Sequence, residues 1–237
     1  MSFTCLFFFG YLFTSLLPFF SLPPSLPTHK MIRRLHQILL ANSESDVEIE
    51  YEARFQNVSH TFFDELLQSL DRYEGWESTR EYTAQDVFHE GCRYRRRSDG
   101  KHAAIVKDNV VKKNYPILVP EELDWFPSQL RVSICKEKTF TPPKKVVTPH
   151  YTREKLVREF QKGHYLYVLS IVKSGKDFSK QNTTSFEIEV ELIEPLQYIR
   201  KNGVEYVQKS VQLKLQNLLQ NKAIVELDSD PFSIGAE

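Results

Sequence analysis

From residue 46 onward, apolar and polar side chains mostly alternate with a period of two, the repeat of a strand with one dry and one wet face. Residues 47–55 put Val47, Ile49, Tyr51, Ala53 and Phe55 on one face and Glu48, Glu50, Glu52 and Arg54 on the other. The spacing then switches: Phe62, Phe63, Leu66, Leu67 and Leu70 recur at helical intervals, which predicts an amphipathic helix over 60–73. Further strands are predicted at 78–90, 91–97, 102–108, 130–138, 151–160, 164–174 and 185–193. The proline-bearing stretches 114–128 and 141–150 read as surface connections, residues 101–113 fit equally a solvated hairpin or a polyanion contact through Lys107, Lys112 and Lys113, and 203–220 predicts a closing helix. Many strands with few helices imply an all-β barrel or an α+β domain built on one.

Residues 5–22 break this pattern with an uncharged apolar run of the length of a membrane span or signal core. No Lys or Arg precedes the run, Pro18 interrupts it, and Met31 opens a stretch that reads as an ordinary protein start. Residues 1–30 are therefore read as an apolar leader or spurious extension outside the fold, with 31–237 as one domain and no membrane anchoring expected. A rival reading, a membrane-anchored glycoprotein, rests on that run and on the triplets beginning at Asn57 and Asn182.

A chain of 237 residues with 41% hydrophobic content can bury one ordinary core. Its 31 basic and 31 acidic residues cancel, so net charge selects no partner. The 8 glycines form no phosphate-cradling loop, which disfavours P-loop and Rossmann chemistry and leaves phosphate to be held by side chains. Cys5, Cys92 and Cys135 are too widely spaced for a disulfide framework or a metal knuckle, and Cys92 and Cys135 read as small packing residues. The 7 histidines never reach a ligand spacing, so a histidine-held zinc is not expected. Trp76 and Trp125 read as packing residues.

The charge pattern carries the chemistry. Glu187, Glu189 and Glu191 share one face of a late strand, as Glu48, Glu50 and Glu52 do at the start. A sheet with one solvated face gives such a strand without any function, but two of them in one barrel could gather six carboxylates in one cavity. Burying them uncompensated costs several kcal/mol per ion, a cost that a divalent cation and basic neighbours relieve. The intervening strands offer those cations: Arg93 and Arg95, Arg131 beside Ser133, and Arg153 with Lys155. Carboxylates on one wall and cations on the others suit a polyanionic ligand with a metal, so phosphate chemistry is the natural candidate.

On these residues the chain resembles the metal-dependent RNA 5'-triphosphatases of fungal, protozoan and large-DNA-virus mRNA capping, within the triphosphate tunnel metalloenzymes. The resemblance covers residues 46–194: an opening E-x-E-x-[RK]-F strand at Glu50, Glu52, Arg54 and Phe55, a central R-x-S at Arg131 and Ser133, and a closing E-x-E-x-E at Glu187, Glu189 and Glu191. Residues 169–175 are also similar to the segment before the closing strand of viral members. It implies an α+β, mainly β fold, a closed eight-stranded antiparallel barrel with a few flanking helices, whose lumen binds a triphosphate end.

It further implies catalytic roles for Glu50, Glu52, Arg131, Glu187, Glu189 and Glu191, with Mn²⁺ or Mg²⁺ held among Glu48, Glu50, Glu52, Glu189 and Glu191. Arg54, Arg93, Arg95, Lys107, Arg153, Lys155, Arg158 and Lys173 become the phosphate-clamp candidates. The implied substrate is triphosphate-ended RNA, the implied partner a separate capping guanylyltransferase, and the setting a nucleus or a cytoplasmic viral factory, with a homodimer allowed. Two departures stand out. Val157 occupies the third cation position of the family's R-x-K-x-R, and Leu166 and Val168 stand where an Arg and an Asp are usual. They raise the alternative of a catalytically impaired tunnel that binds RNA ends or polyphosphate within a capping complex.

Overall fold

The computed structural model describes Gln37 and residues 48–117, 125–142 and 149–220. The leader at 1–30 and the start at Met31 lie outside them. Eight strands form one closed barrel: β1 (Glu48–Val58), β2 (Ser78–His89), β3 (Cys92–Arg97), β4 (His102–Pro116), β5 (Gln129–Phe140), β6 (Tyr151–Lys162), β7 (Tyr165–Gly175) and β8 (Gln181–Leu192). Their order around the wall is β1-β5-β4-β3-β2-β6-β7-β8, every pairing is antiparallel, and β8 returns to β1. Closure removes the free edges that an open sheet of this size would expose.

Each predicted strand is present. The chief difference is β4, one strand where 101–113 were read as a solvated hairpin, which runs on into the predicted connection as far as Pro116, its register against β5 shifting between Asn109 and Val111. That bulge lets a strand broken in its alternation stay paired. Between β2 and β3 the turn is Glu90-Gly91, both with positive φ (48° and 76°), the two-residue geometry whose twist matches a hairpin.

The barrel is polar inside and apolar outside along half its wall. Tyr51, Ala53 and Phe55 of β1, Leu130, Val132 and Ile134 of β5, and Ile188, Val190 and Leu192 of β8 point outward into one buried cluster. Three helices cover it: α1 (His60–Arg72), α2 (Pro195–Asn202) and α3 (Val204–Gln220). Ser59 caps α1 by accepting the Phe62 amide at 3.1 Å, and the helix buries Phe62, Phe63, Leu66 and Leu70, one stripe at helical spacing. Burying each such side chain contributes about 1.5–3 kcal/mol. Trp76 and Trp125 pack here too, the first against Phe160 and Tyr167, the second against Phe62 and Phe126.

The single predicted closing helix is two: Gly203, at φ 81°, breaks α2 from α3 in a conformation that L side chains rarely adopt. α3 sends Val207, Val211, Leu215, Leu218 and Leu219 onto the cluster. No described helix is long and apolar enough to cross a membrane.

Candidate active site

Because the helices claim the outward faces, the charged faces of the strands must point into the lumen, and the register fixes who meets whom. Across β1 and β8, Glu52 lies opposite Glu191 and Arg54 opposite Glu189. Across β1 and β5, Glu50 faces Cys135, Glu52 faces Ser133 and Arg54 faces Arg131. Two separated glutamate strands thereby become neighbours in one wall, and their carboxylates need cations close by.

Arg54 is the hub. Its guanidinium reaches Glu52 at 3.1 Å, Glu187 at 3.3 Å and also Glu189. Arg131 bonds Glu52 Oε1 at 3.0 Å. Glu187 is held from the far side by Lys155 at 2.8 Å and by Arg153. Lys107 crosses from β4 to Glu50, Glu137 (3.1 Å) and Glu52 (3.6 Å). Arg95 makes a two-pronged bond with the fully buried Asp86 at 2.7 and 2.9 Å, so its fork is fixed before any ligand arrives. Arg93 adds a looser contact with Glu137 at 3.6 Å.

These contacts sort the carboxyls by proton affinity. Burial opposes ionisation of Glu187, but Lys155, Arg54 and Arg153 outweigh it and bring its pKa to about 2. Burial is likewise outweighed at Glu52, by Arg54, Lys107 and Arg131, and at Asp86, by Arg95. Glu50 goes the other way, raised by burial despite Lys107. Glu191 is raised furthest, first by burial and then by Glu189, Glu50 and Glu52, and among the described residues it makes no ion pair.

One carboxyl oxygen each from Glu50, Glu52 and Glu191 lies within 4.8 Å of the others. Hard oxygen donors this close, with the Glu191 carboxyl making no ion pair among the described residues, fit a hard divalent ion. A second group, Glu50, Cys135 and Glu137, shares Glu50 with the first.

Among the sequence candidates, Glu50, Glu52, Arg54, Arg93, Arg95, Lys107, Arg131, Arg153, Lys155, Glu187, Glu189 and Glu191 converge on the lumen. Three do not. Glu48 shares the face but is exposed at the end of β1 and belongs to neither donor group. Arg158 is odd in parity to Lys155 and lies on the outer wall, tying α1 to β2 through Asp71 and through Glu81 at 2.7 Å. Lys173 is exposed on the outer face of β7, in register with Glu154 and Thr184. Strand parity places both on the outer wall, apart from the other clamp candidates.

Other lumen residues were missed by the sequence reading. Glu137 follows Arg131, Ser133 and Cys135 at every second position, so the same parity rule finds it. Cys135 is not a mere packing residue: its thiol donates to Glu50 Oε2 at 2.9 Å, and burial followed by Glu50 raises its pKa. Asp86 lies directly opposite Arg95 across the β2–β3 hairpin, so the register of that turn is the signal that finds it.

The two departures meet. Val157 and Val168 both face the lumen and pack with Tyr82, Ala84 and Leu166 in a small apolar cluster separate from the main core. Beside it, the Tyr82 hydroxyl donates to Glu159 at 2.5 Å, and the Arg97 guanidinium lies 3.3 Å from the Tyr82 ring centre. Val157, Leu166 and Val168, the three positions where the chain departs from the resemblance, thus form one apolar patch on the neighbouring strands β6 and β7.

No protein-family model matches the chain, and no curated protein matches it in sequence. Solved structures do. The Pct1 RNA triphosphatase of S. pombe superposes with a TM-score of 0.61 at 17% identity, over 86% of this chain and 94% of that one. The same triphosphatase in complex with the Spt5 CTD gives 0.57 at 17%, over 85% and 94%. The RNA triphosphatase domain of a trifunctional mimivirus mRNA capping enzyme gives 0.55 at 16%, over 81% and 96%. The chain therefore has the fold of the RNA triphosphatases of these capping systems.

Proposed function

We propose that this chain is a metal-dependent RNA 5'-triphosphatase that hydrolyses the γ-phosphate of triphosphate-ended RNA and leaves a 5'-diphosphate end. One observation carries the reading: a closed lumen in which the Glu50, Glu52 and Glu191 carboxyls cluster next to a row of anchored cations. The likeness of fold to RNA triphosphatases supports it.

In this reading Glu50, Glu52 and Glu191 hold the divalent ion, with Glu189 beside them on Arg54. When bound, the ion supplies charge neutralisation at phosphate oxygens and a water of lowered pKa. The chain's own groups do the rest. Arg54, Arg95, Arg153 and Lys155 bind the triphosphate oxygens, and their carboxylate partners keep each donor oriented in advance, so little reorganisation is needed as charge develops. Arg131 orients Glu52. The product then requires guanylyl transfer by a separate enzyme, in a nucleus or viral factory.

Glu50→Ala and Glu189→Ala should each remove phosphate release in Mn²⁺ with the fold retained by circular dichroism; unchanged rates in both would refute the metal role. Arg158→Ala and Lys173→Ala should leave the rate unchanged. The first should also lower stability by ~1 kcal/mol or less in urea titration, since its partners are largely exposed.

A second reading, a tunnel that binds RNA ends without turnover, draws support from the apolar patch at Val157 and Val168. Tight tripolyphosphate binding with no hydrolysis in Mn²⁺ or Mg²⁺ would favour it.

A further inference from the structure

Lys107 holds a place that the metal reading leaves unexplained. It belongs to β4, which is not adjacent to β1, and its rung runs through Glu137 of β5 to Glu48. Its side chain nevertheless extends past β5 to put its ammonium against Glu50, with Glu137 Oε1 at 3.1 Å and Glu52 Oε2 at 3.6 Å. Those contacts fall on both candidate donor groups: Glu50 and Glu52 of the first, Glu50 and Glu137 of the second. Among the described residues, Lys107 is also the sole cation paired with Glu50.

The other lumen cations are placed differently. Arg54 and Arg131 reach Glu52 but not Glu50, while Arg153 and Lys155 are committed to Glu187, outside both donor groups. A divalent ion on Glu50 and an ammonium on the same carboxylate would repel at close range in a lumen that screens charge less than bulk water does. The two compete for the carboxylate, and the lysine is the one free to move: its side chain is 28% exposed and sits on a flexible four-carbon stem.

We propose that Lys107 is the resident counter-ion of the metal site, displaced from Glu50 when a divalent ion binds and thereby released to meet the phosphate chain. It neutralises the carboxylates in the metal-free protein, competes with the metal for them, and couples metal loading to anion binding. This rests on the hydrolase reading above, because it takes Glu50, Glu52 and Glu191 as the ion's ligands.

The test uses the full chain in anion-free buffer, with free Mn²⁺ counted by electron paramagnetic resonance. Lys107→Met should bind Mn²⁺ on the order of tenfold more tightly than the native protein, or better, because a competing charge is gone. In the native protein, acetylation of Lys107 followed by mass spectrometry should rise as Mn²⁺ fills the site, with Lys155 as the internal reference that does not change. Equal Mn²⁺ affinity in a folded Lys107→Met, or Lys107 labelling unmoved at saturating Mn²⁺, would overturn the exchange and leave the metal site standing. Failure of both proteins to bind Mn²⁺ would overturn the hydrolase reading and the exchange together. Should Lys107→Met not fold, the labelling of the native protein decides alone.

Discussion

Glu191→Gln is expected to abolish metal-dependent γ-phosphate release while making the metal-free protein more stable. The opposite signs come from one cause. Glu191 is half-buried beside Glu189, Glu50 and Glu52 with no ion pair among the described residues, so its ionised form is costly until a cation arrives. Removing that charge should cut the rate about 10³-fold or more, equivalent to ~4 kcal/mol of transition-state stabilisation. In EDTA it should raise the denaturation midpoint. The pH dependence has a defined sign: a carboxyl whose folded pKa lies above its ordinary 4.5 contributes most stability below 4.5 and loses it as pH rises toward the folded value. Native protein in EDTA should therefore lose stability over that rise, and Glu191→Gln should lose less. A variant less stable than the native protein at pH 7 without metal would contradict this account of Glu191.

Arg54→Met should be the most destabilising single change in the lumen. Arg54 reaches Glu52, Glu187 and Glu189, all largely buried. Breaking a buried pair by removing one partner costs ~3–5 kcal/mol, because the remaining charges stay out of water without compensation. Urea titration at pH 7 measures this, and phosphate release should vanish with it. The acid limb follows from Glu187. Its folded pKa of about 2 lies below the ordinary 4.5, so its ion pairs contribute fully above 4.5 and fade as pH falls toward 2. The gap between native and variant stabilities should narrow over that window; a gap that widens would mean that Arg54 acts through packing.

Much of this site was legible before any coordinates, because strand alternation is a rigid rule: once the glutamates at 187–191 and 48–52 are given a common barrel, their faces follow. The same rule, applied strictly, would have excluded Arg158 and Lys173 and included Glu137. Less could be read where the signal is not periodic. The run from Asn114 to Pro116 ends in a proline, yet pairing with β5 carries it on as strand. Glu159 is a single acid whose meaning depends on Tyr82, a residue far off in sequence that no local pattern joins to it, whereas Asp86 lies directly opposite Arg95 in the β2–β3 hairpin and the register of that turn would have found it. Nor could the sequence tell that Val157, Leu166 and Val168 gather in one cluster, since eleven positions separate Val157 from Val168.

The central claim, a phosphate hydrolase built on the lumen carboxylates, is most directly tested by incubating the full chain with RNA carrying a label on its 5' γ-phosphate, in Mn²⁺, in Mg²⁺ and in EDTA. Release of labelled orthophosphate with a divalent ion, none in EDTA, and recovery of 5'-diphosphate RNA is the predicted result. A folded protein that releases no label in either metal, or releases it equally in EDTA, would contradict it.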